Sequence, residues 1–282
     1  MTRPTLDPAY EFHAFSAFHA AIVAGFALVV FLVCRAGIRR RGTVELRRVE
    51  RAAGWFMLGA WAVSTVYWLL PANFDLDDAS HKLKNKRALA KEAGFKFSKR
   101  PLIGAVSRLV DQKGFQLLAP VIDRLVAAGA QLVILGSGEP ELERALEAAG
   151  ERHPESCKVW IGFDNALAHR IYGGCDMLLM PSIYEPCGLN QMYALRYGTV
   201  PIVRLTGGLA DTVIPFDGTN AEIANGFGFI AAHPLELYLS TWVAMLNYKD
   251  QDAWKSLRAN GMAADFSWER SAREYDAVYA RA

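Results

Sequence analysis

The sequence predicts an α/β fold, a doubly wound parallel sheet preceded by a transmembrane helical hairpin. Three observations point there. From residue 101 onward, apolar runs of strand length alternate with segments of helical pattern. Each run is apolar at nearly every position, as in strands covered on both faces. The first 70 residues differ, with two long uncharged runs flanking an arginine-rich loop.

Residues 14–34 (AFSAFHAAIVAGFALVVFLVC) and 52–70 (AAGWFMLGAWAVSTVYWLL) form the hairpin, domain 1–70. Crossing the ~30 Å hydrocarbon core as a helix takes about 20 residues. Trp55, Trp61, Tyr67 and Trp68 include ring systems near the ends of the second run, where interfacial aromatics are favoured. Arg35, Arg39, Arg40, Arg41, Arg47, Arg48 and Arg51 fill the loop between the runs. The first run makes a poor signal peptide, since Arg3 is its one upstream cation and no small-residue cleavage site follows. A lipid bilayer is therefore an expected partner and a membrane the expected location. The alternative is two buried helices in a soluble protein. His13 and His19 read as packing residues. The positive-inside rule puts the arginine loop in the cytoplasm and residues 71–282 outside it. Lys82, Lys84, Lys86 and Arg87 oppose that orientation.

Residues 71–100 read as a linker and a helix, with Pro71 and the polar stretch 73–87 as the linker. Asp75, Asp77 and Asp78 suit a helix start. The domain 101–282 follows. Its expected strands are 102–107, 131–135, 158–162, 176–181 and 200–203. Its expected helices are 115–128, 140–150, 165–173 and 188–197. This order makes a Rossmann-like sheet.

Composition narrows the function. The chain has 282 residues, 52% hydrophobic and 21% charged, with net charge +2, so nothing in the total suggests nucleic acid. Cys34, Cys157, Cys175 and Cys187 lack the spacing of a metal site and read as reduced thiols. No metal and no cofactor are expected.

Three strand ends carry candidate chemistry. Ser107-Arg108-Leu109-Val110-Asp111-Gln112-Lys113-Gly114 sets two cations five apart in a strand-to-helix loop. Such a pair suits a diphosphate, though two solvated surface cations would look the same. Glu185 lies just past the strand ending at Pro181, where open α/β sheets bind ligands. Cys187 shares its turn and reads as a pocket residue, not a nucleophile. Thr206-Gly207-Gly208-Leu209-Ala210-Asp211 follows the last strand, and its glycines suggest accessible N–H groups for a phosphate. Gly136-Ser137-Gly138-Glu139 reads as a tight turn.

The segments SRLVDQKG, HRIYGGCDMLLMPS, YEPCGLNQMYALRYGTVPIVR, TGGLADTV and DFSWERSAREY, in that order, resemble the C-terminal half of bacterial glycogen synthases and plant starch synthases. The resemblance runs from about Asn73 to Tyr279. It implies one half of a GT-B fold and a retaining glucosyltransferase using ADP-glucose or UDP-glucose, with an α-1,4-glucan as acceptor. On this resemblance Arg108 and Lys113 neutralise the departing diphosphate and Glu185 faces the donor glucose. Cys187, Gly188 and Leu189 line the sugar pocket, with Asn190 able to donate to phosphate. Thr206, Gly207, Gly208 and Leu209 hold diphosphate or ribose, and Phe163 stacks near the adenine. Tyr193 stands where many other retaining GT-B enzymes carry a second glutamate. Ile183 departs from a common arginine. The family's Gly-rich N-terminal domain has no counterpart segment, so that domain is expected in trans. The segment Phe266 to Tyr279 resembles the helix that packs back onto it. Two functions follow: a glycogen/starch synthase-like transferase, expected in the cytoplasm with its donor, or an inactive membrane-anchored nucleotide-sugar-binding remnant.

Overall fold

The computed structural model describes Leu70 and residues 81–280. Six parallel strands form one sheet: β1 (Leu102–Val106), β2 (Gln131–Gly136), β3 (Cys157–Ile161), β4 (Met177–Met180), β5 (Val200–Arg204) and β6 (Phe227–Phe229). Their spatial order is β3-β2-β1-β4-β5-β6. The chain builds outward from β1 to β3, then returns to place β4 on the other side of β1. That reversal makes a topological switch point between β1 and β4, where open sheets hold ligands beyond their carboxyl ends.

Consecutive apolar residues work here because the pleat sends neighbours to opposite faces. Ile103, Leu132, Ile134, Met177 and Leu179 join one buried cluster. Leu102, Val133, Leu135, Leu178 and Met180 join the other. Helices cover both clusters. They are α1 (Lys82–Glu92), α2 (Phe115–Leu118), α3 (Ile122–Ala127), α4 (Pro140–Arg152), α5 (Asn165–Gly174), α6 (Asn190–Arg196), α7 (Gly208–Thr212), α8 (Pro234–Asn247) and α9 (Gln251–Ala263); a last helix, α10 (Trp268–Tyr279), follows.

The expected elements appear with shifted ends and two corrections. The single helix expected over 115–128 is broken into α2, a 3-10 turn at Ala119–Val121, and α3. Pro120 has no N–H to continue the helical ladder, so the chain tightens there. The polar stretch 73–87, expected as linker, overlaps α1, a structural helix. Lys82, Asn85, Lys86, Leu89 and Ala90 of α1 are buried. Lys86 meets Asp176 at 2.7 Å and donates to Arg100 O at 2.6 Å. Lys82 donates to Gly173 O, Tyr197 O and Thr199 Oγ1 at 2.7–3.2 Å. Two of the four cations counted as flanking the second apolar run therefore serve the interior. β6 and the helices α8 and α9 follow where the sequence offered no named element.

The runs 14–34 and 52–69, the arginine loop, His13, His19, Asp75, Asp77 and Asp78 lie outside the described residues. Leu70, the last residue of the second run, sits against Gly173 of α5. Among the described residues no helix is long and apolar enough to cross a membrane.

Candidate functional site

Two loops meet at the switch point. The loop after β1 holds Arg108 and Lys113, and the loop after β4 holds Glu185. Gly114 (φ +74°) lets them touch, because any Cβ there would overlap the Pro181 carbonyl. Gln112 then joins them at backbone level. Its carbonyl accepts from Ile183 N at 2.8 Å, and its side-chain amide donates to Tyr184 O at 3.1 Å. Arg204, at the end of β5, donates from Nε to Ser182 O at 2.9 Å and from Nη2 to Ile183 O. Its Nη1 donates to Ile230 O at 3.0 Å.

This bracing leaves Glu185 only 6% exposed. The Lys113 ammonium lies 2.5 Å from Glu185 Oε2, which also accepts from Ser182 Oγ at 3.2 Å. The pair lines a small cavity of about 70 Å³ together with Ser107, Gly188, Leu189 and Asn190. A larger cleft of about 280 Å³ shares Val106, Ser107 and Asn190 with it. Arg108, Ser137, Phe163, His169, Tyr172 and Tyr193 line this second space. Arg108 and Lys113 thus border adjoining spaces on either side of Ser107. Phe163, 91% exposed, stands at the rim.

Several expected residues support the site from behind. Asn190 gives Nδ2 to Val106 O at 2.8 Å, tying α6 to β1. Cys187 and Thr206 to Leu209 line neither space. At the second glycine turn two of the backbone N–H groups have internal acceptors. Gly208 N donates to Glu185 O at 3.0 Å and Leu209 N to Thr206 O at 3.2 Å. A Cβ on Gly207 or Gly208 would overlap the carbonyl of Glu185 or Cys187 respectively. These glycines clamp the loop that carries the carboxylate. Gly136 and Gly138 are likewise close-approach residues, against Ser107 and Leu109. Ile183 packs on the apolar core.

The sequence reading missed Gln112, Arg204 and an aromatic group on the cleft wall. His169 lies 5.9–6.1 Å from the rings of Tyr172, Tyr193 and Tyr197, with Nδ1 3.0 Å from Tyr197 Oη. Burial lowers the His169 pKa and raises that of Tyr197 to about 12. A signal existed, since 169/172 and 193/197 are helical i,i+3 and i,i+4 pairs. Gln112 and Arg204 act on carbonyls of distant loops, which leaves no spacing pattern.

A doubly wound sheet with cations, a buried carboxylate and an adjoining cleft at its switch point is the arrangement in which open α/β domains hold ligands. The sequence profile of the glycosyl transferases group 1 matches residues 86–229, just over half the chain, and the chain belongs to this family. It is similar to the glycogen synthase of Fervidobacterium nodosum, 46% identical over 210 residues, covering 74% of this chain and 43% of that protein. The glycogen synthase of Anaeromyxobacter dehalogenans is 48% identical over 211 residues, covering 74% and 44%. The chain spans less than half the length of these relatives. Among solved structures, the catalytic domain of starch synthase IV from Arabidopsis thaliana, bound to ADP and acarbose, superposes with a TM-score of 0.69. It is 39% identical, over 76% of this chain and 45% of that one.

Proposed function

We propose that residues 81–280 are the donor-binding half of a retaining glucosyltransferase of the glycogen/starch synthase type. One observation carries the reading: a buried carboxylate and a cation meet at the switch point beside a cleft rimmed by Phe163. The donor is ADP-glucose, with UDP-glucose as the second choice, since the starch synthase neighbour is bound to ADP. The nucleoside occupies the cleft of about 280 Å³, near the lower end of ligand pockets, with its base against Phe163. The diphosphate crosses Ser107 between Arg108 and Lys113, and the glucose faces Glu185. Negative charge grows on the diphosphate as its bond to glucose breaks. Fixed cations stabilise that charge most in the transition state, which is where rate is gained. An α-1,4-glucan receives the glucose. GT-B chemistry occurs between two such sheets, of which the described residues hold one; a facing domain supplies the other.

Transfer of labelled glucose from ADP-glucose to glycogen by the purified chain tests this, with that facing domain added. Arg108→Ala and Lys113→Ala should abolish both transfer and ADP binding. ADP binding that survives both substitutions would refute the site.

A second reading, donor binding without turnover on a membrane anchor, is favoured by the apolar runs 14–34 and 52–70. Saturable ADP binding without transfer would select it. Under it the arginine loop is cytoplasmic and residues 71–282 lie outside. Under the first reading they lie in the cytoplasm with their donor. Protease accessibility on spheroplasts separates the two orientations.

A further inference from the structure

Lys113 Nζ and Glu185 Oε2 are 2.5 Å apart, and the two side chains are only 17% and 8% exposed. Besides Lys113, Ser182 Oγ is the donor this oxygen receives, at 3.2 Å. Among the described residues lining the small cavity, Lys113 alone is cationic. Arg108, the next cation along the loop, lines the larger cleft instead. The carboxylate therefore depends on one ammonium. A buried ion deprived of its partner is strongly disfavoured.

A phosphate that engages Lys113 competes with Glu185 for the ammonium and adds a like charge beside the carboxylate. What happens next depends on what the phosphate carries. A sugar brings neutral hydroxyl groups, which donate hydrogen bonds and replace the lost ammonium. A bare nucleoside diphosphate brings no such donor, and its terminal phosphate carries more negative charge near neutral pH. We infer that Glu185, through its pair with Lys113, makes the site prefer a nucleoside diphosphate sugar over the bare nucleoside diphosphate. The inference rests on the donor-site reading proposed above. It gives Glu185 a task apart from the chemistry of transfer: the same repulsion that selects against the bare diphosphate expels it once its sugar has left.

Calorimetric titration of the purified full chain with ADP and with ADP-glucose tests the idea, comparing wild type with Glu185→Gln. The wild type should bind ADP-glucose more tightly than ADP. Glu185→Gln should tighten ADP roughly tenfold or more, and leave ADP-glucose unchanged or weaker. Adding Lys113→Met to Glu185→Gln should erase the gain in ADP affinity, because the contested ammonium is gone. A folded Glu185→Gln chain that binds ADP no more tightly than wild type overturns the inference, and so does equal tightening of both ligands. Should Glu185→Gln fail to fold, Glu185→Asp keeps the charge but shortens its reach. It should shift the ADP to ADP-glucose affinity ratio in the same direction, and an unchanged ratio counts against the inference. If the wild type binds neither ligand, the donor-site reading itself falls. If it binds both but Glu185→Gln leaves the ratio of the two affinities unchanged, only the discrimination falls.

Discussion

His169 sits half-buried among three tyrosines, and its environment favours the neutral ring. Burial holds its pKa below the ordinary histidine value in the folded chain. The unfolded chain takes up the proton near pH ~6.5. Between the two values the unfolded state binds more protons, so stability rises with pH there. The contribution is complete above about pH 6.5 and is lost as pH falls through the lower folded value. Denaturant midpoints measured from pH 7.5 to 5 should fall for wild type and fall less for His169→Gln. Parallel slopes would mean that another group governs this range.

At the scale of elements, the glycine turn before α7 is a clamp. Gly208 donates its N–H to Glu185 O and lies against the Cys187 carbonyl. Gly208→Ala forces that contact apart, in a loop that also carries the buried carboxylate. A loss of about 2–4 kcal/mol in chemical denaturation is expected, from overpacking plus a broken buried hydrogen bond. A near-neutral result would show that the two loops move independently. Helix α1 makes a different kind of joint. Its Lys86 pairs with Asp176, which in turn accepts from Leu102 N at 2.8 Å, so one carboxylate ties a helix to two strand starts. Lys86→Met strands that carboxylate and should cost about 3–5 kcal/mol. Lys86→Met with Asp176→Asn should recover part of the loss, which a double-mutant cycle measures.

These joints also mark what the sequence could reveal. Strands β1, β2, β4 and β5 are legible because burial on both faces demands unbroken apolar runs, whereas β3, at the sheet edge, is legible from Val159, Trp160 and Ile161 alone. β6 (Phe227–Phe229) is too short for periodicity. The first half of α1 reads as polar linker because two of its buried positions are lysines, Lys82 and Lys86, and a lysine's worth in the interior depends on acceptors elsewhere in the chain. In the site, Lys113 and Glu185 are legible as charges at strand ends. Their pairing is not, since it crosses 72 residues of sequence. The second glycine turn suggested a ligand cradle, and its glycines also allow close approach to the Glu185 and Cys187 carbonyls. Glycine spacing alone cannot separate these two uses.

For the molecule as a whole, the parallel sheet assigns its two edges different work. All strands start on the same side, so Lys86 and Asp176 secure the amino edge while Arg108, Lys113, Glu185 and Phe163 occupy the carboxyl edge. Substitutions at the two edges should therefore separate. Phe163 is 91% exposed, so Phe163→Ala should change stability by no more than about 0.5 kcal/mol. The same change should weaken ADP binding by about 1–3 kcal/mol, the range of stacking between a base and an aromatic ring. Lys86→Met should do the reverse, lowering the melting midpoint while the folded fraction keeps wild-type ADP affinity. The comparison must be made well below the melting midpoint, because a ligand that binds only the folded state masks instability by mass action. If Lys86→Met weakens ADP binding in fully folded protein, the amino edge is transmitting strain along β1 or β4 to the switch point. If Phe163→Ala binds ADP as wild type does, the base lies elsewhere in the cleft, and the wall formed by His169, Tyr172 and Tyr193 becomes its seat.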